Sequence, residues 1–310
     1  MHPDLFRADL EAKPAALAAL ADALRGGDPF ASLGDVRRVA FLGMGSSRYA
    51  ATVAAHRLRR AGIDAVADYA SALPVPEPPG TLTVAISASG ASREVLDALA
   101  VRGGGHVALT NVADSPVTEG ASLVVPMLAG EEKGGVACRS FQHTLGLLLA
   151  LERRLTGAAL DLPGLLLKAA EASADLLERR WLDDVLPLLD GPDGVYTIAP
   201  YERISSAEQS ALMLREGPRR PADACETGDW SHVDVYLTKT RDYRALLFPG
   251  SRYDAQAMDW IKRRGSTVVT VGAPVGGARA AVRYRHDGEA DVALLAETLV
   301  AELVAAAWWR

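Results

Sequence analysis

The stretch VRRVAFLGMGSSRYAATVAAHRLRRAG, residues 36–62, constrains the fold more than any other part of the chain. Val39, Ala40, Phe41 and Leu42 make a strand-like run, Gly43 and Gly45 supply a turn, and a helix follows from about Ser46 to Arg60, stopping at Gly62. An apolar strand fed directly into a helix is the building unit of a parallel sheet. Parallel strands need a crossover, and the crossover helices cover both faces.

The unit recurs. DAVADYAS and LTVAISAS read as strands, SREVLDALAVRGG as a helix ended by glycines, HVALTN and LVVPML as short strands, and FQHTLGLLLALERRLTG as a long apolar helix. A helical stretch, LPGLLLKAAEASADLLERRWLDDVLPLL, follows. The alternation then restarts with strands GVYTIAP, YRALLFPG and TVVTVGA, helices SSAEQSALMLRE and YDAQAMDWIKRRG, and a last helix over 290–308. At the start, Phe6, Leu10, Leu17, Leu20 and Leu24 share one face of a helix over 6–25. The expected class is α/β, with two tandem doubly wound parallel-sheet domains of flavodoxin-like plan. The segments are an N-terminal helix (1–27), a first domain (28–160), a helical connector (161–190) and a second domain (191–310). The halves match in plan more than in letters, which leaves room for an internal duplication.

A chain of 310 residues can bury two cores of ordinary size. Its net charge of −6, with basic pairs scattered, argues against a nucleic-acid partner. Cys138 and Cys225 are far apart and fit no metal spacing, so both are expected to be reduced thiols of a cytosolic protein. The acidic N-terminus has no signal-peptide core, and no apolar run is long enough for a bilayer; LVAELVAAAWWR is interrupted by Glu302. A cytoplasmic protein with no membrane partner is the expectation.

GMGSS (43–47) and SASGAS (87–92) each lie between a strand and a helix, where open α/β sheets hold ligands. Helix N-termini offer unpaired N–H groups and a positive dipole end, and serines add donors, so two such loops suit a phosphate. The same serines can also be plain caps and turn residues. GMGSSR starts a dinucleotide fingerprint, but the third glycine is absent and neither Asp64 nor Asp68 is well placed for a ribose. A nucleotide cofactor is therefore the weaker reading.

Taken in order, GMGSSRYAA, ISASGASREVLDAL and ALTNVADSPVTEGASLVVPMLAGEEKGGVACRSFQHTLGLLLAL resemble the sugar isomerase (SIS) domain family, and in particular the isomerase half of glucosamine-6-phosphate synthases. The likeness covers roughly residues 10 to 275. It implies that Ser87, Ser89 and Ser92, with backbone around Gly90, take the phosphate of a sugar phosphate, with Ser46 and Ser47 beside it. Ala88 and Ala91 depart from the longer polar residues common in the family. Glu131 and Glu132 stand near a family glutamate, with a one-residue length difference between the patterns; Glu132 is assigned with Gly45, Val136 and Ala137 to the sugar pocket.

Aldose–ketose interconversion needs one base able to reach two adjacent carbons, and a second acid/base for ring opening. SALMLREGPRRPADACETGDWSHVD resembles the catalytic stretch of the family: Glu216 falls on the catalytic glutamate and His232 on the ring-opening histidine, with the family's separation. In the family this histidine reaches the partner subunit's site, which implies a homodimer with shared sites. Three departures stand out. A common lysine is Met213 here, the residues after the histidine are Val233 and Asp234, and no lysine-bearing tail is expected beyond Trp308-Trp309-Arg310. Nor is glutamine-dependent amination expected, since no glutaminase segment or N-terminal cysteine is present. His143 is expected to be structural. The implied activity is an aldose–ketose isomerase or an amino-sugar-phosphate isomerase or deaminase working through a cis-enediol or enediolamine. It requires no metal or organic cofactor. The alternative is a sugar-phosphate sensor without catalysis.

Overall fold

A computed structural model describes residues 1–309. Helices α1 (Pro3–Glu11) and α2 (Lys13–Gly26) precede β1 (Arg38–Gly43), α3 (Gly45–Arg60), β2 (Asp64–Tyr69), β3 (Thr81–Ile86), α4 (Arg93–Arg102), β4 (His106–Thr110), β5 (Ala121–Pro126) and α5 (Arg139–Thr156). Helices α6 (Leu162–Glu178) and α7 (Leu182–Leu189) lead to β6 (Val195–Ala199), α8 (Ile204–Glu216), β7 (Ala222–Glu226), α9 (Thr227–Trp230), β8 (Arg244–Leu247), α10 (Asp254–Arg264), β9 (Thr267–Val271), β10 (Ala280–Val282), α11 (Ala290–Ala296) and α12 (Thr298–Trp308). Two compact units result. One comprises Ala16–Glu132 and Ala137–Leu166; the other Met1–Ala15, Lys133–Val136 and the chain from Leu167 onward.

The first unit holds a five-stranded parallel sheet in the order β2-β1-β3-β4-β5. All five residues of β4 are buried, as are Val39 to Leu42 of β1, which is why these strands read as unbroken apolar runs. Helices α3 and α5 pack together beside the sheet, and α5 is buried from Arg139 to Leu151.

The second unit repeats the order, β7-β6-β8-β9-β10, again with every pair parallel. Counted from each unit's first strand, both sheets run 2-1-3-4-5. Two ion pairs are buried in this unit. Lys13 binds Glu302 with both side chains wholly enclosed, and Arg203 Nε lies 2.8 Å from Glu297 Oε1. Such charges are tolerable only because each has its counterion.

The structure departs from the sequence expectation in four places. The N-terminal helix is two helices: Pro14 cannot donate a hydrogen bond, so α1 ends and α2 restarts around Ala12, although all five spaced apolar residues are buried. The helix over 290–308 is interrupted at Glu297, where Val300 N–H donates to the Glu297 carbonyl in 3₁₀ fashion and Arg203 holds the side chain. Strands β7 and β10 were not legible. Both are edge strands: β7 exposes Asp223 and Ala224, so its run is broken, and β10 is only three residues long. Among the described residues no helix is long and apolar enough to cross a membrane.

Candidate phosphate loops and carboxylate site

In the first unit, β1 and β3 are neighbours at the point where the strand order reverses, so GMGSS and SASGAS leave adjacent strands on the same edge. Gly43 is required for close approach: a Cβ there would stand 3.0 Å from Ser47 Cβ and 3.1 Å from Arg48 N. Ser46 and Ser47 sit in the first turn of α3, partly buried, and neither hydroxyl has a hydrogen-bond partner among the described residues. Gly45 opens that turn at φ +49°.

The second loop is held by its own backbone. Gly90 N–H donates to the Ser87 carbonyl at 3.0 Å, and the Gly90 carbonyl accepts from Val117 N–H at 2.8 Å. At φ +68°, a Cβ on Gly90 would lie 1.9 Å from Ser115 Oγ, so only glycine fits. Ser87 is buried, and its Oγ accepts from Ser92 N–H at 3.3 Å; Ser89 is exposed, and its Oγ accepts from Ala91 N–H at 3.3 Å. Both bonds are long and readily exchanged for a better acceptor. Ser92 stands at the N-cap position of α4 but makes no side-chain capping bond; its hydroxyl donates to Glu94 at 3.1 Å.

Sequence reasoning missed Arg48. Its guanidinium lies 4.8 Å from the Tyr49 ring centre and 4.6 Å from that of Tyr69, which closes β2. It stands in the same helical turn as Ser46 and Ser47, adding positive charge to that end of α3. Only the pairing of β2 with β1 brings Tyr69 to it.

Glu132 is fully engaged as the cap of α5. One carboxylate oxygen accepts from the N–H groups of Cys138 (2.6 Å), Arg139 (2.6 Å) and Ser140 (3.1 Å), and the other accepts from Ser140 Oγ. Val136 is buried and Ala137 partly so. His143, fully enclosed with Nδ1 2.8 Å from the Met127 carbonyl, is structural.

In the second unit Glu216 ends α8. It is partly buried and has no hydrogen-bond partner among the described residues. Burial holds its carboxyl above the ordinary carboxylate range, with Arg215 pulling the other way. Met213, one turn earlier, is wholly buried, and the Trp309 ring packs on Gly217, 3.0 Å from where a Cβ would be. A lone carboxylate with a raised pKa in such surroundings is equipped to take and return a proton.

His232 is exposed. Its segment is pinned on both sides: Trp230 Nε1 donates to Tyr243 Oη (2.8 Å), which donates to Asp234 Oδ2 (3.1 Å), and Tyr243 stacks on Tyr196 at 4.2 Å. Burial raises the Asp234 carboxyl, opposed by the Tyr243 hydrogen bond, and pushes the nearby Cys225 thiol up to about 12. Glu216 precedes the start of β7 and His232 follows its end. A five-residue strand spans roughly 13 Å, so the two stand at opposite ends of it rather than side by side. Among the described residues no group of three or more histidine, cysteine or acidic side chains could hold a metal ion.

No family model matches the sequence. The chain is 35% identical over 275 residues to an isomerizing glutamine–fructose-6-phosphate aminotransferase of Zymomonas mobilis, a match that covers 79% of this chain and 43% of that protein. It spans less than half the length of the curated relatives it matches. Among solved structures, the C-terminal domain of the Francisella tularensis glucosamine-fructose-6-phosphate aminotransferase superposes with TM-score 0.80 at 16% identity, covering 99% of this chain and 98% of that one. A Clostridium difficile protein described as a phosphosugar isomerase gives 0.82 at 16%, covering 98% and 92%. A Thermotoga maritima glucosamine-6-phosphate deaminase gives 0.75 at 19%, covering 98% and 93%. The structural likenesses show a shared fold, and together with the sequence match they support an SIS-type domain in this chain.

Proposed function

We propose that this protein is a sugar-phosphate isomerase acting on a ketose or amino-sugar phosphate, in a homodimer whose sites are shared. The observation that carries the reading is Glu216: an unpartnered, partly buried carboxylate whose pKa burial raises, at the end of α8. The sequence match to an isomerizing aminotransferase supports the same reaction class.

In this reading Ser87, Ser89, Ser92 and the Gly90 backbone bind the phosphate, with Ser46, Ser47 and Arg48 at the neighbouring helix end. Gly45, Val136 and Ala137 line the sugar, and Glu132 acts on it by fixing the start of α5. Glu216 removes the proton from C2 of the open-chain aldose. The C2–H electron pair becomes the C1–C2 double bond of the enediol, and O1 gains a proton. Return of the proton from Glu216 to C1, with loss of the O2 proton, gives the ketose. With an amine on C2 the same shift gives an enolamine, the start of isomerisation or ammonia release. His232, exposed and distant along β7 from Glu216, acts as the ring-opening acid/base in the site of the second copy.

The test is proton exchange at C1 and C2 in deuterated water, followed by NMR, on fructose 6-phosphate, glucose 6-phosphate and glucosamine 6-phosphate. Exchange that Glu216→Gln abolishes is the expected result. Mixed oligomers of Glu216→Gln with His232→Ala are expected to regain activity, because one of the two mixed sites is then intact. The second reading, a sensor without catalysis, is favoured by Met213, a buried apolar side chain where the family commonly has lysine. Phosphate-dependent sugar binding with no exchange would establish it and sink the isomerase.

A further inference from the structure

Two polar side chains bracket His232, and one hydroxyl joins them. Trp230 stands two residues before the histidine and Asp234 two residues after it. Trp230 Nε1 donates to Tyr243 Oη at 2.8 Å, and Tyr243 Oη donates to Asp234 Oδ2 at 3.1 Å. Chemistry fixes these directions: an indole N–H can only donate, so the phenol accepts from it and has its single proton left for the carboxylate. Trp230 and Tyr243 are wholly enclosed and Asp234 is buried, while His232 between them is exposed.

Buried polar groups cost free energy when left unpaired, and apolar side chains of similar volume would fill the same space without that demand. What the polar chain adds is fixed geometry. Its middle member comes from outside the histidine's turn. Tyr243 immediately precedes β8; its carbonyl accepts from Thr267 N–H at 3.0 Å, and its ring stacks on Tyr196 of β6 with 12° between the planes. The sheet therefore holds the hydroxyl, and the hydroxyl holds both ends of the turn. Inside the turn, Glu226 Oε2 accepts from Asp229 N–H at 2.9 Å, and the Asp229 carbonyl accepts from His232 N–H at 2.8 Å and from Val233 N–H at 3.1 Å. The backbone of His232 is tied at each step while its ring stands at the surface.

We infer that Tyr243 is a positioning residue for His232: through Trp230 and Asp234 its hydroxyl sets where the imidazole stands. The inference rests on the proposed role of His232 in ring opening and names the group that aims it. Asp234, one of the departures from the family's pattern after the histidine, is the second anchor of this device.

The test is Tyr243→Phe, which keeps the buried ring and removes one oxygen. Catalysed interconversion of the glucose 6-phosphate anomers, read by NMR exchange spectroscopy, is expected to fall roughly tenfold to hundredfold, the scale of an ångström-sized misplacement, with the fructose 6-phosphate Kd unchanged. In a His232→Ala background the same change is expected to cost the residual rate nothing further, because Tyr243 acts through the imidazole. Asp234→Ala is expected to match Tyr243→Phe, and Asp234→Asn, which keeps an oxygen for the hydroxyl, to restore most of the loss. Equal losses in the two backgrounds would overturn the inference, as would ring opening untouched by Tyr243→Phe. Backbone amide exchange keeps this inference apart from the proposed isomerase. In Tyr243→Phe it is expected to quicken at His232 and Val233 and to stay unchanged in β6. Wild-type protein that opens no sugar ring would strike the isomerase; the pinning of the turn would then stand on local quickening and fall on no change or on a uniform rise across the unit.

Discussion

The loop after β3 and the loop after β8 occupy the same position in two sheets of the same strand order, yet different side chains hold their backbone N–H groups. After β3, the N–H groups at the start of α4 make long bonds to serine hydroxyls, and Gly90 keeps the backbone bare. After β8, Asp254 supplies a carboxylate to the equivalent helix end. Each loop hinges on a glycine at positive φ, but one glycine fits beneath a serine and the other rests on a buried arginine. Topology repeats the loop position at each reversal; the side chains that fill it differ.

The proposed division of labour is broken most directly at Glu216. Glu216→Gln is expected to cut proton exchange by about 10²- to 10⁴-fold, the usual worth of a general base, while fructose 6-phosphate binding stays intact. Loss of binding together with exchange would mean that the units do not separate binding from chemistry. Next in size is Gly90→Ala. The forced positive φ alone costs about 1–3 kcal/mol, and the overlap with Ser115 adds to it, so lower thermal stability and loss of phosphosugar binding are both expected. Gly250→Ala should instead leave fructose 6-phosphate binding unchanged. Ser89→Ala removes one hydrogen bond to a charged group, about 1.5–3 kcal/mol, read as a roughly tenfold to hundredfold rise in the phosphosugar Kd.

The smallest expected effect is on pH dependence. Burial raises the Glu216 carboxyl in the folded chain, so the folded state holds that proton more tightly than the unfolded one. The stabilisation is fully present below the unfolded pKa and is lost as pH rises through the raised folded value. Asp234 contributes in the same direction. Glu216→Gln is therefore expected to reduce the fall in Tm between acidic and neutral pH, measured by calorimetry. An unchanged fall would show that Glu216 is not desolvated. In the wild type, the exchange rate should rise with pH through a midpoint above the ordinary glutamate range.

Much of this was legible from residues alone. The runs of β1, β3, β4, β6, β8 and β9 are apolar because each of these strands lies inside its sheet, with a neighbour on either side. The two serine loops were legible as strand-to-helix turns, because glycine and serine between an apolar run and a helix mark a turn and a cap. Arg48 was not, since its partner Tyr69 is brought to it only by the pairing of β2 with β1. The full engagement of Glu132 in capping α5 was equally hidden, because a glutamate in the loop ahead of a helix carries no local mark of the bonds it will make.

By itself, then, the sequence determined the alternation of strand and helix, the two parallel sheets and the loops at their edges, because hydrophobic period and glycine placement act locally. Tertiary structure alone decided three other things. The first fifteen residues join the compact unit of the second sheet, where Lys13 meets Glu302 across 289 positions. The order 2-1-3-4-5 is repeated. Asp254, and not a serine, takes a backbone N–H in the loop after β8. Each depends on which distant group satisfies a buried charge or a bare N–H, and no local pattern encodes that choice.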